Sequence, residues 1–260
     1  MGHERVGTLP RTVSWRQVVG QLEKATSGSE ASGSSIAAAT IGLVNSRFEH
    51  LHRDPGVQAA FGFLVAVARA SPPTGPGRAA PDFDLPSDAT PLRLAVALNK
   101  WVDTNAQSRE YAELAKRSAA EALASWHQQQ SKQLRLFEPQ QGSSIPTVWS
   151  EASTGGGFSE ISRLFFASFT ERYLRYFIER EASAVAQSIE SRERLAERLH
   201  SSIDLVSRHA FETSKIAQSF AAGWFNKNAR HQTPQNGQLS SFLRIAFGKI
   251  REELRREAKP

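Results

Sequence analysis

Residues 158–222 read FSEISRLFFASFTERYLRYFIEREASAVAQSIESRERLAERLHSSIDLVSRHAFETSKIAQSFAA, and none of these 65 positions is glycine or proline. Those two residues interrupt regular structure more than any others, so their absence over such a length predicts long, nearly unbroken helices. As one straight rod the stretch would run to about 98 Å at 1.5 Å per residue, far beyond a compact domain of this size. The expected solution is two or three helices folded back on one another, or else a projecting arm.

Within the stretch the first helix carries Phe158, Phe165, Phe166, Phe169, Tyr173, Tyr176 and Phe177. At about 100° per residue these fall in an arc of roughly 120°, so they form one aromatic stripe. Such a stripe reads first as core, because aromatics supply large buried area. Read as function it is a docking face, and Phe165, Phe169, Tyr173 and Tyr176 are then the candidate partner-binding residues. Arg163, Arg172, Arg175 and Arg180 run beside the stripe. Further on, Val185, Ile189, Arg192, Ala196, Leu199, Ile203, Val206 and Ala210 have heptad-like spacing. Arg and Ala occupy too many of these positions for a good coiled-coil seam, so the reading is a bundle helix with a small-residue face.

Working outward, the segment from Gly223 through Trp224, Phe225, Lys227, Arg230 and His231 to Gly237 mixes aromatic, basic and amide side chains at a helix end. A mixture of this kind can grip phosphates and stack on bases. The final helix, about 240–257, adds Arg251 and Arg255 among other basic residues. Trp224, Lys227, Arg230, His231, Arg251 and Arg255 are therefore the candidate nucleic-acid-binding residues. The competing reading makes Trp224 and Phe225 core plugs followed by a polar loop.

On the N-terminal side, Ser14 and Gln17 open a short helix to about Lys24, and a Ser/Gly-rich linker covers 26–34. A helix over 35–53 follows. Asp54-Pro55 restarts the chain as cap and first-turn proline, and the helix behind it, to about Ala70, is apolar nearly all round. Residues 71–89 hold five prolines. Thr90-Pro91 repeats the cap-then-proline device. Helices through Leu98 and Val102, then through Tyr111 and Trp126, lead to a second long connection at 131–157. Its Gly155-Gly156-Gly157 run reads as a flexible hinge, and Leu134–Phe137 or Thr147–Trp149 could pair as short strands, though nothing demands it.

The fold class is thus all-α, with roughly eight helices in a bundle-like arrangement and the long ones in the C-terminal half. Coarse units are 1–70, a Pro-rich connection at 71–90, central helices at 91–157, and the long-helix region at 158–260.

Hydrophobic content of 40% and charged content of 22% are those of a globular chain. The longest apolar run, Val57 to Ala68, is too short to span a bilayer and is diluted by Gln58 and Gly62. The charged start Met-Gly-His-Glu-Arg lacks the apolar region of a signal peptide. The expectations are a cytoplasmic location and no membrane partner. There are no cysteines, which removes disulfides, thiolate nucleophiles and cysteine-held metals together. Arginine-rich, lysine-poor composition suits a GC-rich bacterial genome. A net charge of +6 makes an anionic partner reasonable.

Enzyme chemistry finds little footing. Glu49/His52 and Glu197/His200 have the Glu-x-x-His spacing that helical bundles use for di-metal carboxylate sites. Both lie in strongly charged sequence where a bundle interior would be apolar, so no metal is expected. His200, Asp204 and His209 have no nucleophile at a defined spacing. His52-Arg53-Asp54 matches a kinase catalytic loop only in its three letters. Thr154 and the glycines after it could cradle an anion, but no lysine follows in the required spacing. No cofactor is implied. The sequence reads as a non-enzymatic helical subunit or adaptor within a larger bacterial assembly, acting by protein–protein contact. Nucleic-acid binding through the basic C-terminal region is the alternative, and a homo-oligomer is also compatible.

Overall fold

In the computed structural model the described residues are 42, 48–70, 83, 85, 89–106, 111–136, 148–185, 189–235 and 237–257, with backbone alone for 135–136, 178–185, 189–203, 205 and 257. They form six α-helices: α1 (Pro55–Ala70), α2 (Pro91–Asn105), α3 (Ala112–Leu136), α4 (Gly155–Val185), α5 (Ile189–Asn228) and α6 (Gln238–Glu257). Two 3₁₀ turns, Leu51–Arg53 and Ser150–Ser153, precede α1 and α4, and no strand occurs among the described residues. The expected helix at 14–24 and the linker at 26–34 lie outside the described residues.

The cap signals work as the sequence predicts. Asp54 Oδ1 accepts a hydrogen bond from Val57 N at 3.0 Å, which satisfies one of the first-turn amides left over at a helix start. Thr90 does the same for Arg93 N before Pro91. Helix α1 is buried along most of its length, as its all-round apolar pattern requires. Trp149 lies in a turn, not a strand, and its indole Nε1 donates to the Ala89 carbonyl at 2.8 Å. That buried bond ties the start of α2 to the start of α4.

The punctuation-free stretch is two helices, α4 and α5, packed antiparallel. Their direction is fixed by pairs at one end: Phe158 stacks on Phe225 with centroids 4.4 Å apart, and Gln218 donates to Glu160 at 2.9 Å. Midway along α5 the buried face is small, with Ala210, Ser214, Ala217 and Ala221 at three- and four-residue spacing, before Trp224 and Phe225 fill its end. Small side chains let two long helices approach closely. Helix α6 then crosses back over α1 and α4, with Phe242 against Phe61 at 5.2 Å and Phe247 against Phe166 at 5.3 Å.

The glycine run departs from the hinge expectation, because Gly155, Gly156 and Gly157 are the first turn of α4. Thr154 caps it, with Oγ1 accepting from Gly157 N at 2.9 Å. Glycine is needed there for space: a Cβ on Gly157 would sit 1.9 Å from the Glu151 carbonyl oxygen. The 3₁₀ turn therefore folds directly onto the helix start. Gly156 is exposed, and its nearest neighbour would be 3.8 Å away. We predict that Gly157→Ala lowers stability by about 1–3 kcal/mol through overpacking. Gly156→Ala should be neutral, or stabilising by up to about 1 kcal/mol. Urea midpoints measure both, and equal effects at the two positions would show that the close approach is not what selects glycine.

Candidate functional site

Three of the four candidate docking residues are interior. Phe165, Phe169 and Tyr173 are each 0% exposed, and only Tyr176 is half-buried at the edge of the stripe. Tyr173 is ringed by Phe48, Tyr111 and Phe177 at 5.0–5.7 Å. The stripe is core because α1, α6 and the helical residue Phe48 supply aromatic rings to meet it, and these come from distant sequence.

The basic C-terminal residues do not form one patch. Trp224 is buried between Phe158 and Phe242, at 6.1 and 4.7 Å, so its faces are taken by protein rings instead of bases. Lys227 and His231 are exposed and Arg230 is partly covered near the start of α6. Arg251 lies 13 residues into α6, about 20 Å further along by helix rise. It pairs with Glu49 at 3.2 Å, while Arg255 is exposed one turn on.

The Glu-x-x-His pair at 49–52 is also used up locally. His52 Nδ1 lies 2.8 Å from the Glu49 carbonyl oxygen, and Glu49 faces Arg251. No cluster of three or more metal-ligating side chains occurs among the described residues. Asp204 is exposed, and Thr213 Oγ1 lies 3.4 Å from His209 Nε2. The side chains of Glu197 and His200 lie outside the described set.

What the fold does build is a groove of about 530 Å³ between α3, α4 and α5. Ala122, Leu164, Ala167 and Phe211 line its apolar part, and Glu121, Glu171, Arg208 and Glu212 are its charged residues. Phe211 is 39% exposed, the one aromatic side chain above a third among the described residues. It is not loose: the Arg163 guanidinium lies 4.0 Å above its ring. Arg163 is itself buried and held by Glu160, which also accepts from Gln218. A cation over a ring is worth about 0.5–2 kcal/mol, enough to fix the ring's orientation at the groove wall.

On the opposite wall Glu121 bridges α3 to α4. Its Oε2 accepts from Ser168 Oγ and from Arg172 Nη2, each at 2.6 Å. Burial pushes the Glu121 carboxyl up, but the two hydrogen bonds and the Arg172 charge outweigh it and hold the group below its ordinary 4.5. Sequence reasoning missed this groove because its residues come from three helices. The available signal was Phe211, a large aromatic beside the small-residue seam of α5.

No family model, curated protein or solved structure is similar to the chain. The class therefore rests on the fold itself, an all-α protein. None of the helices among the described residues is long and apolar enough to cross a membrane.

A group whose pKa falls on folding stabilises the fold above its unfolded value and stops doing so as pH drops through its folded value. Glu121→Gln should therefore cost under about 1 kcal/mol at neutral pH, because the side chain is 49% exposed and the pair is screened. The deficit relative to wild type should shrink as pH is lowered through and below 4.5. Thermal melts across that range measure it, and a deficit that stays constant with pH would mean the carboxylate charge is irrelevant.

Proposed function

We propose that the chain is a non-catalytic helical subunit that works by protein–protein contact, and that the α3–α4–α5 groove receives an amphipathic helix from its partner. The observation that carries this reading is Phe211. Large aromatics are normally withdrawn from water, and every other described one is at least partly covered. Here a ring is held at a groove wall by a buried arginine, beside apolar Ala122, Leu164 and Ala167. A helix laid into such a groove presents apolar anchors one turn apart, and the charged rim sets register. Interface energy concentrates in central aromatic anchors ringed by weaker contacts. Leu92 and Val96, one turn apart on α2, are a separate exposed apolar pair, at 76% and 65%. The nucleic-acid alternative loses its stacking residue, since Trp224 is packed inside.

Two substitutions separate groove from core. Phe211→Glu should abolish co-purification of the partner while lowering stability by about 0.5–2 kcal/mol, the worth of the lost arginine–ring contact, which leaves the chain folded. Tyr173→Arg should unfold the chain, because truncating or charging a fully buried aromatic costs about 3–5 kcal/mol or more. A photo-crosslinking residue at position 211 should trap one discrete protein. Unchanged co-purification after Phe211→Glu would remove the groove from the binding surface.

A further inference from the structure

Helices α3 and α5 each pack on α4, but among the described residues they do not pack on each other. Helix α4 is therefore the floor of the groove, and α3 and α5 are its walls. Its floor residues are Leu164, Ala167, Ser168 and Glu171, at the three- and four-residue spacing of one helix face. Leu164 and Glu171 are seven residues apart, a rise of about 10 Å. The floor starts apolar and ends on a carboxylate. Phe211 belongs to the apolar end, because the guanidinium of Arg163, next in sequence to Leu164, lies over its ring.

The charged groups around this floor differ in what already answers them. Glu121 on the α3 wall accepts from Ser168 and Arg172, and Glu212 on the α5 wall pairs with Lys215 at 2.6 Å. Arg208 is exposed, and its Nε donates to the Asp204 carbonyl at 3.4 Å. Glu171 is half-buried, and among the described residues it has neither a hydrogen bond nor an ion pair, Arg172, Arg175 and Arg208 included. Water solvates that carboxylate in the free chain. A helix laid along the floor removes the water, and covering an ionised carboxylate without a counter-charge is expensive. An exposed group such as Arg208 keeps its hydration at the rim and gains little from pairing.

We propose, resting on the docking role of this groove, that the helix it receives carries a lysine or arginine that meets Glu171. That cation lies seven residues from the apolar anchor that meets Leu164 and Phe211. The interval repeats the floor's own, since a helix lying along α4 has the same rise of about 1.5 Å per residue. An acidic helix would bury Glu171 against like charge, and a wholly apolar one would leave it unpaired. The chain's net charge of +6 does not set the sign here, because three of the four charged residues lining the groove are carboxylates.

Two designed helical peptides test this, each with leucines as the apolar anchor and differing at the position seven residues on, lysine in one and glutamate in the other. Fluorescence anisotropy of the labelled peptides against the full chain reads the affinities. The lysine peptide is expected to bind with a Kd of about 100 μM or tighter, and the glutamate peptide at least about tenfold more weakly. Glu171→Gln should remove most of that preference and Glu171→Lys should reverse it. Both variants should melt like wild type, because Glu171 makes no bond within the described fold. Glu252→Lys, the same change of charge on α6, should keep the preference, which separates pairing at the floor from the field of the whole chain. Equal binding of the two peptides, both lost in Phe211→Glu, would overturn the proposal and leave the groove as a docking site. Peptide binding that Phe211→Glu does not move would overturn both. No binding of the lysine peptide at about 1 mM would overturn the proposal, as would a dimer of the chain in sedimentation velocity that Phe211→Glu dissociates, since a second copy would then be the occupant.

Discussion

Phe61, in the middle of α1, touches four aromatic rings. Phe158, Phe165, Phe166 and Phe242 lie around it with centroids 5.2–6.0 Å away. Three of these rings belong to α4 and one to α6, so a single side chain holds the N-terminal, long and final helices in register. Edge-to-face and offset ring pairs add about 0.5–1.5 kcal/mol each beyond burial. The cluster continues through Phe247, Phe169 and Tyr173 to Phe48. A core made of rings tolerates little relaxation, since close-packed interiors transmit even a methylene's change in volume.

That constraint explains how the groove arises. With its aromatic face committed to α1 and α6, α4 turns Leu164, Ala167 and Ser168 toward α3 and α5. Midway along α5 the buried residues Ala210, Ser214 and Ala217 are small, whereas Trp224 and Phe225 near its end pack into the aromatic core and Phe211 stands at the groove. A seam of alanine and serine brings the backbones close, while the Phe211 ring stands at the edge and leaves a groove beside it.

The helices, the caps at Asp54 and Thr90, and the fold-back of the punctuation-free stretch were legible in the chain because each depends on residues within a turn or two. Boundaries were less so. Helix α3 runs to Leu136, beyond the expected start of the second connection at 131, and α4 begins at Gly155 inside what looked like a hinge. Glycine in a list of residues signals freedom, yet beside the Glu151 carbonyl it is the only residue small enough to fit. The choice between core and docking face for the aromatic stripe stayed open for a comparable reason: sequence gives the face of a helix but not what packs on that face.

The amino-acid sequence by itself determined that this protein is helical, where the long helices fall and which positions cap them, since hydrogen bonding and 3.6-residue periodicity are local. Only the tertiary structure decided that Phe165, Phe169, Tyr173 and Trp224 are interior and that Phe211 is at a surface groove. It alone placed Glu171 on the floor of that groove. Exposure of an amphipathic stripe depends on whether a distant helix arrives with side chains that fit it, and that fit is a property of three-dimensional packing.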